Sequence, residues 1–343
     1  MSRNLRTSTT DPIQIPTLSA ASGRIGISFC PGKQGPALAG FEWKRDLAAD
    51  LDAVREWGAA AVVSLIEKHE IELLGVADME TAVAARGMEW FHLPIPDVTA
   101  PGEEFEQRWH TAGARLRSLL TNGKSIFIHC RGGLGRAGTV AARLLIELGI
   151  TDANAAIAKV REIRPGAIET RAQEDHLRAI KRIYDRSIGC LIGLAVGDAL
   201  GTTLEFKPRD TYALVLRAAI LGADFDAALA VPGGRYGPEI GPIMAGSWRG
   251  KVRDQISSSG FVAHSLEAAI WSVANTTSFD EAVLLAANLG DDADTTAAIA
   301  GQLAGAIYGA SSIRQSWLDK LAWRDEIEAL ARNLAFPAVA LSD

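Results

Sequence analysis

The residues best suited to chemistry lie in one short run: Ser125-Ile126-Phe127-Ile128-His129-Cys130-Arg131-Gly132-Gly133-Leu134-Gly135-Arg136-Ala137-Gly138-Thr139. It reads as a buried strand, a glycine-rich turn and the start of a helix (Val140–Leu148). Cys130 stands where the strand stops, and Arg136 follows six residues later. A cysteine nucleophile must be a thiolate, whereas a free thiol titrates at about 8.5. A helix N-terminus and a nearby cation lower that to about 3.5–7.5. The run offers both. Its glycines let backbone N–H groups converge on one anion, and the Arg136 guanidinium can hold two phosphate oxygens in a fork. Arg131, Gly132, Gly133, Leu134 and Gly135 would wrap the phosphate. Two other readings compete. Gly133-x-Gly135-x-x-Gly138 has the form of a dinucleotide fingerprint, although that motif normally opens its domain and makes no use of Cys130. A cysteine in a turn is also often only a small buried hydrophobe.

Several elements must position this loop. Arg24–Phe29, Ala60–Ile66 and Glu89–Ile95 carry the apolar patterning of strands. Arg45–Trp57, Glu70–Ala84, Glu103–Leu120, Asp152–Glu162 and Thr170–Tyr184 read as helices. Two prolines, Pro94 and Pro96, end the third strand and put Asp97 at the head of a loop. Strands alternating with helices, with no two-residue hairpin signal, predict an α/β domain: a mostly parallel sheet with helices on both faces.

After about Asp185 the texture changes. Ala, Gly and Leu dominate, no strand pattern remains, and an all-α region is expected. Ile188–Gly201 carries glycine at 189, 193, 197 and 201, a spacing that lines one helix face with small residues. Gly260–Ala274 and Ala297–Tyr308 read as helices. Ser278-Phe279-Asp280-Glu281 has the form of a capping box. Asp292, Asp294 and Thr295 stand at a helix start, where ordinary capping and binding of a hard cation are both open readings.

Composition bounds the rest. With 343 residues, two domains are the expectation. A net charge of -6 argues against a broad nucleic-acid-binding face. Three cysteines without metal-type spacing fit a reducing, cytoplasmic setting. No apolar run is long enough to span a membrane, and residues 1–18, polar and without an apolar segment of signal-peptide type, read as a disordered tail.

His129-Cys130-x5-Arg136 resembles the signature of cysteine-dependent protein-tyrosine and dual-specificity phosphatases. The filling Gly132-Gly133-Leu134-Gly135, with Gly166-Ala167-Ile168-x-Thr170-x-x-Gln173 downstream, resembles the cyclin-dependent kinase inhibitor 3 branch. The resemblance covers roughly residues 20–183, within an expected domain of residues 19–185, and implies a phosphatase fold without a cofactor. It implies Cys130 as nucleophile, Arg136 as phosphoryl holder, Asp97 as general acid, His129 as an orienting residue and Gln173 as placing the hydrolytic water. One position departs from the family: Ala137 stands where a Ser or Thr is usual, which leaves Thr139 as the next hydroxyl.

Residues 186–343 resemble ADP-ribosylglycohydrolases through Gly189-Cys190-Leu191-x-Gly193-Leu194-Ala195-x-Gly197-Asp198-Ala199-Leu200-Gly201-x-x-x-Glu205. Ser259-Gly260-Phe261-Val262-x-x-Ser265-Leu266-Glu267 and Asn288-Leu289-Gly290-Asp291-Asp292-Ala293-Asp294-Thr295 extend the resemblance. It implies Asp292, Asp294 and Thr295 as ligands of a magnesium or manganese site, and Asp198 and Glu205 near ADP-ribose. The family's Thr-Asp-Asp triplet is absent, so the domain reads as truncated through its middle. The leading expectation is phosphomonoester hydrolysis, of a phosphorylated protein or small molecule. The alternatives are metal-dependent removal of ADP-ribose from protein, and a non-catalytic phosphate- or ADP-ribose-binding module. Neither nucleic acid nor a membrane is an expected partner.

Overall fold

A computed structural model of the chain describes residues 5–37, 40–201, 218–230 and 238–335. They fall into two compact units, the first ending at Lys181 and the second spanning Arg182–Ala335.

The first unit is organised about β8 (Ser125–Cys130), whose six residues are all buried. β3 (Gly23–Phe29) and β6 (Ala59–Ser64) pair parallel on either side of it, and β7 (Glu89–His92) pairs parallel with β6. Strand periodicity sends alternate side chains to opposite faces. Ile126, Ile128 and Cys130 thus join a core with Ile25, Ile27, Leu116, Val140 and Leu144. Phe127 joins a second core with Val62, Leu51, Val54, Met79 and Val83. On the first face lie α4 (Glu103–Thr121) and α5 (Gly135–Glu147). On the second lie α1 (Leu47–Glu56) and α3 (Met79–Ala84). Burial on both faces explains why β8 and β6 read as continuous apolar runs.

Three features differ from the sequence expectation. First, the sheet has an antiparallel edge: β2 (Thr17–Ala20) pairs with β3 through the two-residue turn Ala21-Ser22. Ala21 takes φ 51 there, a conformation that Ala does not advertise. Second, the stretch read as a disordered tail is built into the fold from Leu5 on. β1 (Leu5–Arg6) pairs with β5 (Glu42–Lys44), Ile13 and Leu18 are buried, and Arg45 Nη1 donates to Asp11 O at 2.8 Å. Polar composition hid an anchoring made through backbone carbonyls and two apolar side chains. Third, Glu70–Ala84 is two helices, α2 (Lys68–Leu73) and α3, parted at Gly75 with φ 66.

The helix after the loop, α7 (Arg171–Gly201), runs without interruption through Tyr184–Ser187, where a domain boundary was expected. Neither glycine nor proline stands there to stop it. Among the described residues the second unit is built of helices only. Within it, α7 lies against the helix Ala293–Tyr308 backbone to backbone. A Cβ on Gly193 would sit 2.1 Å from Gly301 O, so the four-residue glycine spacing serves a close helix crossing. No helix among the described residues is long and apolar enough to cross a membrane. Phe261, Trp323, Leu330 and Leu334 are exposed in this unit.

Candidate active site

The loop between β8 and α5 folds as an anion nest for local reasons. Gly133 takes φ 70, and a Cβ there would meet Ser28 C at 2.2 Å, so only glycine lets the turn pass under β3. Cys130 is 3% exposed at the strand end, and the Gly133 N–H donates to its Sγ at 3.2 Å. From outside the turn, Arg164 donates through Nη2 to Gly132 O at 3.2 Å and through Nε to Gly133 O at 3.0 Å. Lys33 Nζ donates to Arg131 O at 3.5 Å. Three successive carbonyls are thereby held outward by cations, which turns their peptide N–H groups inward. Lys33 is itself buried among Phe29, Trp43 and Cys30. Burial pulls its ammonium down to about 8, and the nearby Arg45 and Arg131 push the same way.

Arg136 is 2% exposed and held mainly by a residue that sequence reasoning missed. Glu70 accepts from Nη1 at 2.6 Å and from Nη2 at 2.9 Å, and Ile95 O accepts from Nη1 at 3.0 Å. Burial opposes both charges. The hydrogen bonds and mutual attraction outweigh it, so the Glu70 carboxyl lies below its ordinary range and the Arg136 guanidinium above its own. The fork expected to face phosphate is thus turned largely to Glu70. Nε is buried and without a hydrogen-bond partner. Asp97 comes to the same guanidinium, Oδ1 lying 2.9 Å from Nη2, with its side chain 51% exposed. The next residue, Val98, takes φ 61, a costly conformation for a β-branched side chain.

His129 is fully buried. Its Nε2 lies 2.7 Å from Ser64 Oγ, which accepts from Trp90 Nε1 at 2.8 Å. Burial, aided by the charge of Arg136, pushes this imidazole down to about 3, so it is neutral in the folded protein. Thr139 does not stand in for the hydroxyl missing at Ala137. Its Oγ1 donates to Gly135 O at 2.8 Å within α5. Gln173 is buried and its amide is engaged at both ends. Oε1 accepts from Glu169 N at 2.9 Å, and Nε2 donates to Thr99 O at 2.9 Å. It thereby ties the Asp97 loop to the segment before α7.

In the second unit, Asp292 and Asp294 stand together at the start of their helix. Burial and a hydrogen bond to Asp294 hold the Asp292 carboxyl above its ordinary range. The same bond outweighs burial and draws Asp294 below its own. The Thr295 N–H donates to Asp294 Oδ1 at 2.8 Å. Among the described residues no third His, Cys, Asp or Glu joins them as a metal ligand. A magnesium or manganese ion takes an octahedral set of oxygens and commonly fills much of it with water, so Asp292 and Asp294 would supply part of such a set. Asp198 is exposed on α7, and Glu205 lies outside the described residues.

Comparison with known proteins follows the same division. A family model described as "Polymorphic toxin system, DSP-PTPase phosphatase" matches residues 39–150. Cyclin-dependent kinase inhibitor 3 of Rattus norvegicus is 30% identical over 176 residues, covering 50% of this chain and 79% of that protein. The chain belongs to the dual-specificity and tyrosine phosphatase family. A solved structure of kinase associated phosphatase, with its catalytic-site cysteine replaced by serine, is 26% identical and covers 50% of this chain and 95% of that one, at a TM-score of 0.44. An ADP-ribosylglycohydrolase family model matches residues 179–248 and 210–340. ADP-ribosylarginine hydrolase Tri1 of Pseudomonas putida (strain GB-1) is 50% identical over 119 residues, or 35% of this chain. The chain spans about a third of that relative's length. It is therefore a phosphatase-family α/β domain joined to a helical ADP-ribosylglycohydrolase-like region.

The buried histidines set an acid limit on the fold. An unfolded imidazole titrates near 6.5, whereas burial pushes His129 down to about 3 and the half-buried His176 down to about 4. Each takes up its proton only on unfolding. Their stability contribution is complete above pH 6.5 and is lost as pH falls below it. The unfolding free energy from urea titrations should therefore drop from pH 7 to pH 5, by on the order of 1 kcal/mol per pH unit below 6.5 for each histidine. A stability that stays flat over that range would show these rings to be charged in the fold.

Proposed function

We propose that the first unit hydrolyses phosphomonoesters through a phosphocysteine. One observation carries this: the Gly133 N–H in the loop donates to Cys130 Sγ, which lies near a buried guanidinium with an unspent Nε. The thiolate attacks phosphorus, and the bond to the ester oxygen breaks. Asp97, in its acid form, gives its proton to the departing oxygen. Water then attacks the phosphocysteine and passes a proton to Asp97. The S–P bond breaks, and thiolate and phosphate are released. Arg136 and the loop N–H groups carry the phosphoryl charge in both steps. His129 fixes the strand end beneath Cys130, and Gln173 holds the Asp97 loop in reach. Ala137 offers the returning thiolate no hydroxyl, so the second step is the slower one. The substrate is a phosphorylated protein or a small phosphate ester. Three buried free cysteines fit work in a reducing compartment such as the cytoplasm.

For the second unit we infer recognition of ADP-ribose, free or on protein, without metal-assisted hydrolysis. The absence of a Thr-Asp-Asp triplet from the sequence favours this over the metal-dependent reading. Titration calorimetry of the full chain should give no magnesium or manganese heat up to millimolar concentrations, while ADP-ribose raises the melting temperature. Tight manganese binding, or no effect of ADP-ribose, would contradict this.

The phosphatase reading is tested with p-nitrophenyl phosphate. Cys130→Ser should reduce turnover to background, and Asp97→Asn should lower kcat by about 10²–10⁴-fold with little change in KM. Turnover that survives Cys130→Ser would refute the nucleophile.

A further inference from the structure

Glu169 has no part in the mechanism above, yet its carboxylate lies on the phosphate loop. Oε2 accepts from the Gly135 N–H at 2.8 Å. Gly135 is the last of the five residues between Cys130 and Arg136 and the first of α5. Its N–H belongs to the set that a bound phosphoryl group would use.

The chain delivers this carboxylate deliberately. Ile168, β-branched, takes φ 58, an unfavourable backbone conformation immediately before Glu169. Arg161 fixes the peptides on either side of that bend, donating through Nε to Ala167 O at 3.0 Å and through Nη2 to Ile168 O at 2.8 Å. Gln173 Oε1 accepts from the Glu169 N–H. The backbone of Glu169 is therefore pinned, while its side chain remains exposed and free to swing away. A second observation falls on the very next residue of the loop: Arg136 Nε is buried and unpartnered, a donor left for an anion.

We propose that Glu169 is a specificity-determining residue of the phosphatase site, a resident anion that an incoming phosphoryl group must displace from Gly135. The inference rests on the loop being the phosphate site. Two anions cannot share one N–H without repulsion, so the carboxylate penalises esters that bring negative charge alone. The penalty falls when the substrate gives the displaced carboxylate a new partner. The substrate class that does so is a phosphopeptide with Lys or Arg beside the phosphorylated residue. Were Glu169 only a cap for α5, a glutamine oxygen would accept from Gly135 as well, and anion affinity would not change.

Calorimetry with tungstate, a phosphate analogue that is not turned over, separates these cases on the full chain. Glu169→Gln and Glu169→Ala should each bind tungstate roughly tenfold more tightly than the wild type. Glu162→Gln is the control. That carboxylate is exposed on the surface, outside the bend that Arg161 holds, and its loss should leave affinity unchanged. The wild type should also prefer a phosphopeptide flanked by Lys over one flanked by Glu in kcat/KM, and Glu169→Gln should lose that preference. If the wild type binds tungstate and Glu169→Gln binds it equally or more weakly, the resident-anion role is wrong while the phosphate loop stands. If no form of the chain binds tungstate, the phosphate-loop reading fails and this inference fails with it.

Discussion

The first unit depends on one buried ion pair. Arg136 and Glu70 exchange two short hydrogen bonds with both side chains almost fully buried. Separating them would leave one charge uncompensated in the interior, at a cost of about 3–5 kcal/mol. The pair joins α5 to α2 across the strand ends and sets the direction of the guanidinium. With Nη1 and Nη2 committed, Nε is left buried without a partner, and Nη2 still reaches Asp97. Position, charge and reach of the site are all set by that one contact.

Around it, the loop is held from outside by cations and from inside by geometry. Arg164 and Lys33 take the carbonyls of residues 131–133, and Gly133 lets the turn pass under Ser28. His129, neutral and bonded to Ser64, completes the floor. The second unit contrasts with this. Its close helix packing through Gly193 and Gly301 is intact, but its acidic pair lacks further ligands among the described residues, and several large apolar side chains are exposed. The first unit brings its reactive groups together. The second keeps a packed frame around an incomplete donor set.

How much of this was legible in the sequence depended on distance along the chain. The nest was readable because Cys130, its glycines and Arg136 are contiguous. So were the strands, whose apolar runs reflect burial on both faces. Glu70, Arg164 and Lys33 were not readable. Each lies 31 to 98 residues along the chain from the group it holds, and a lone charged residue in a helix or turn carries no local sign of its partner. Glu169 was passed over as an unspecified position inside a motif. The Ala21-Ser22 turn and the packed N-terminal stretch were missed because tertiary contacts, not local propensity, decide them. Whether the Thr139 hydroxyl replaces the one missing at Ala137 was not readable either, because a helical threonine can spend its hydroxyl on the carbonyl four residues back.

The central claim is that catalysis passes through Cys130, with breakdown of the phosphoenzyme slow for want of a hydroxyl at Ala137. Acid quenching during turnover, followed by mass spectrometry of the peptides, tests it most directly. The account predicts a phosphoryl group on the Cys130 peptide at substantial steady-state occupancy, and a lower occupancy in Ala137→Ser. Phosphate released at full rate with no phosphopeptide at Cys130 in either protein would contradict it.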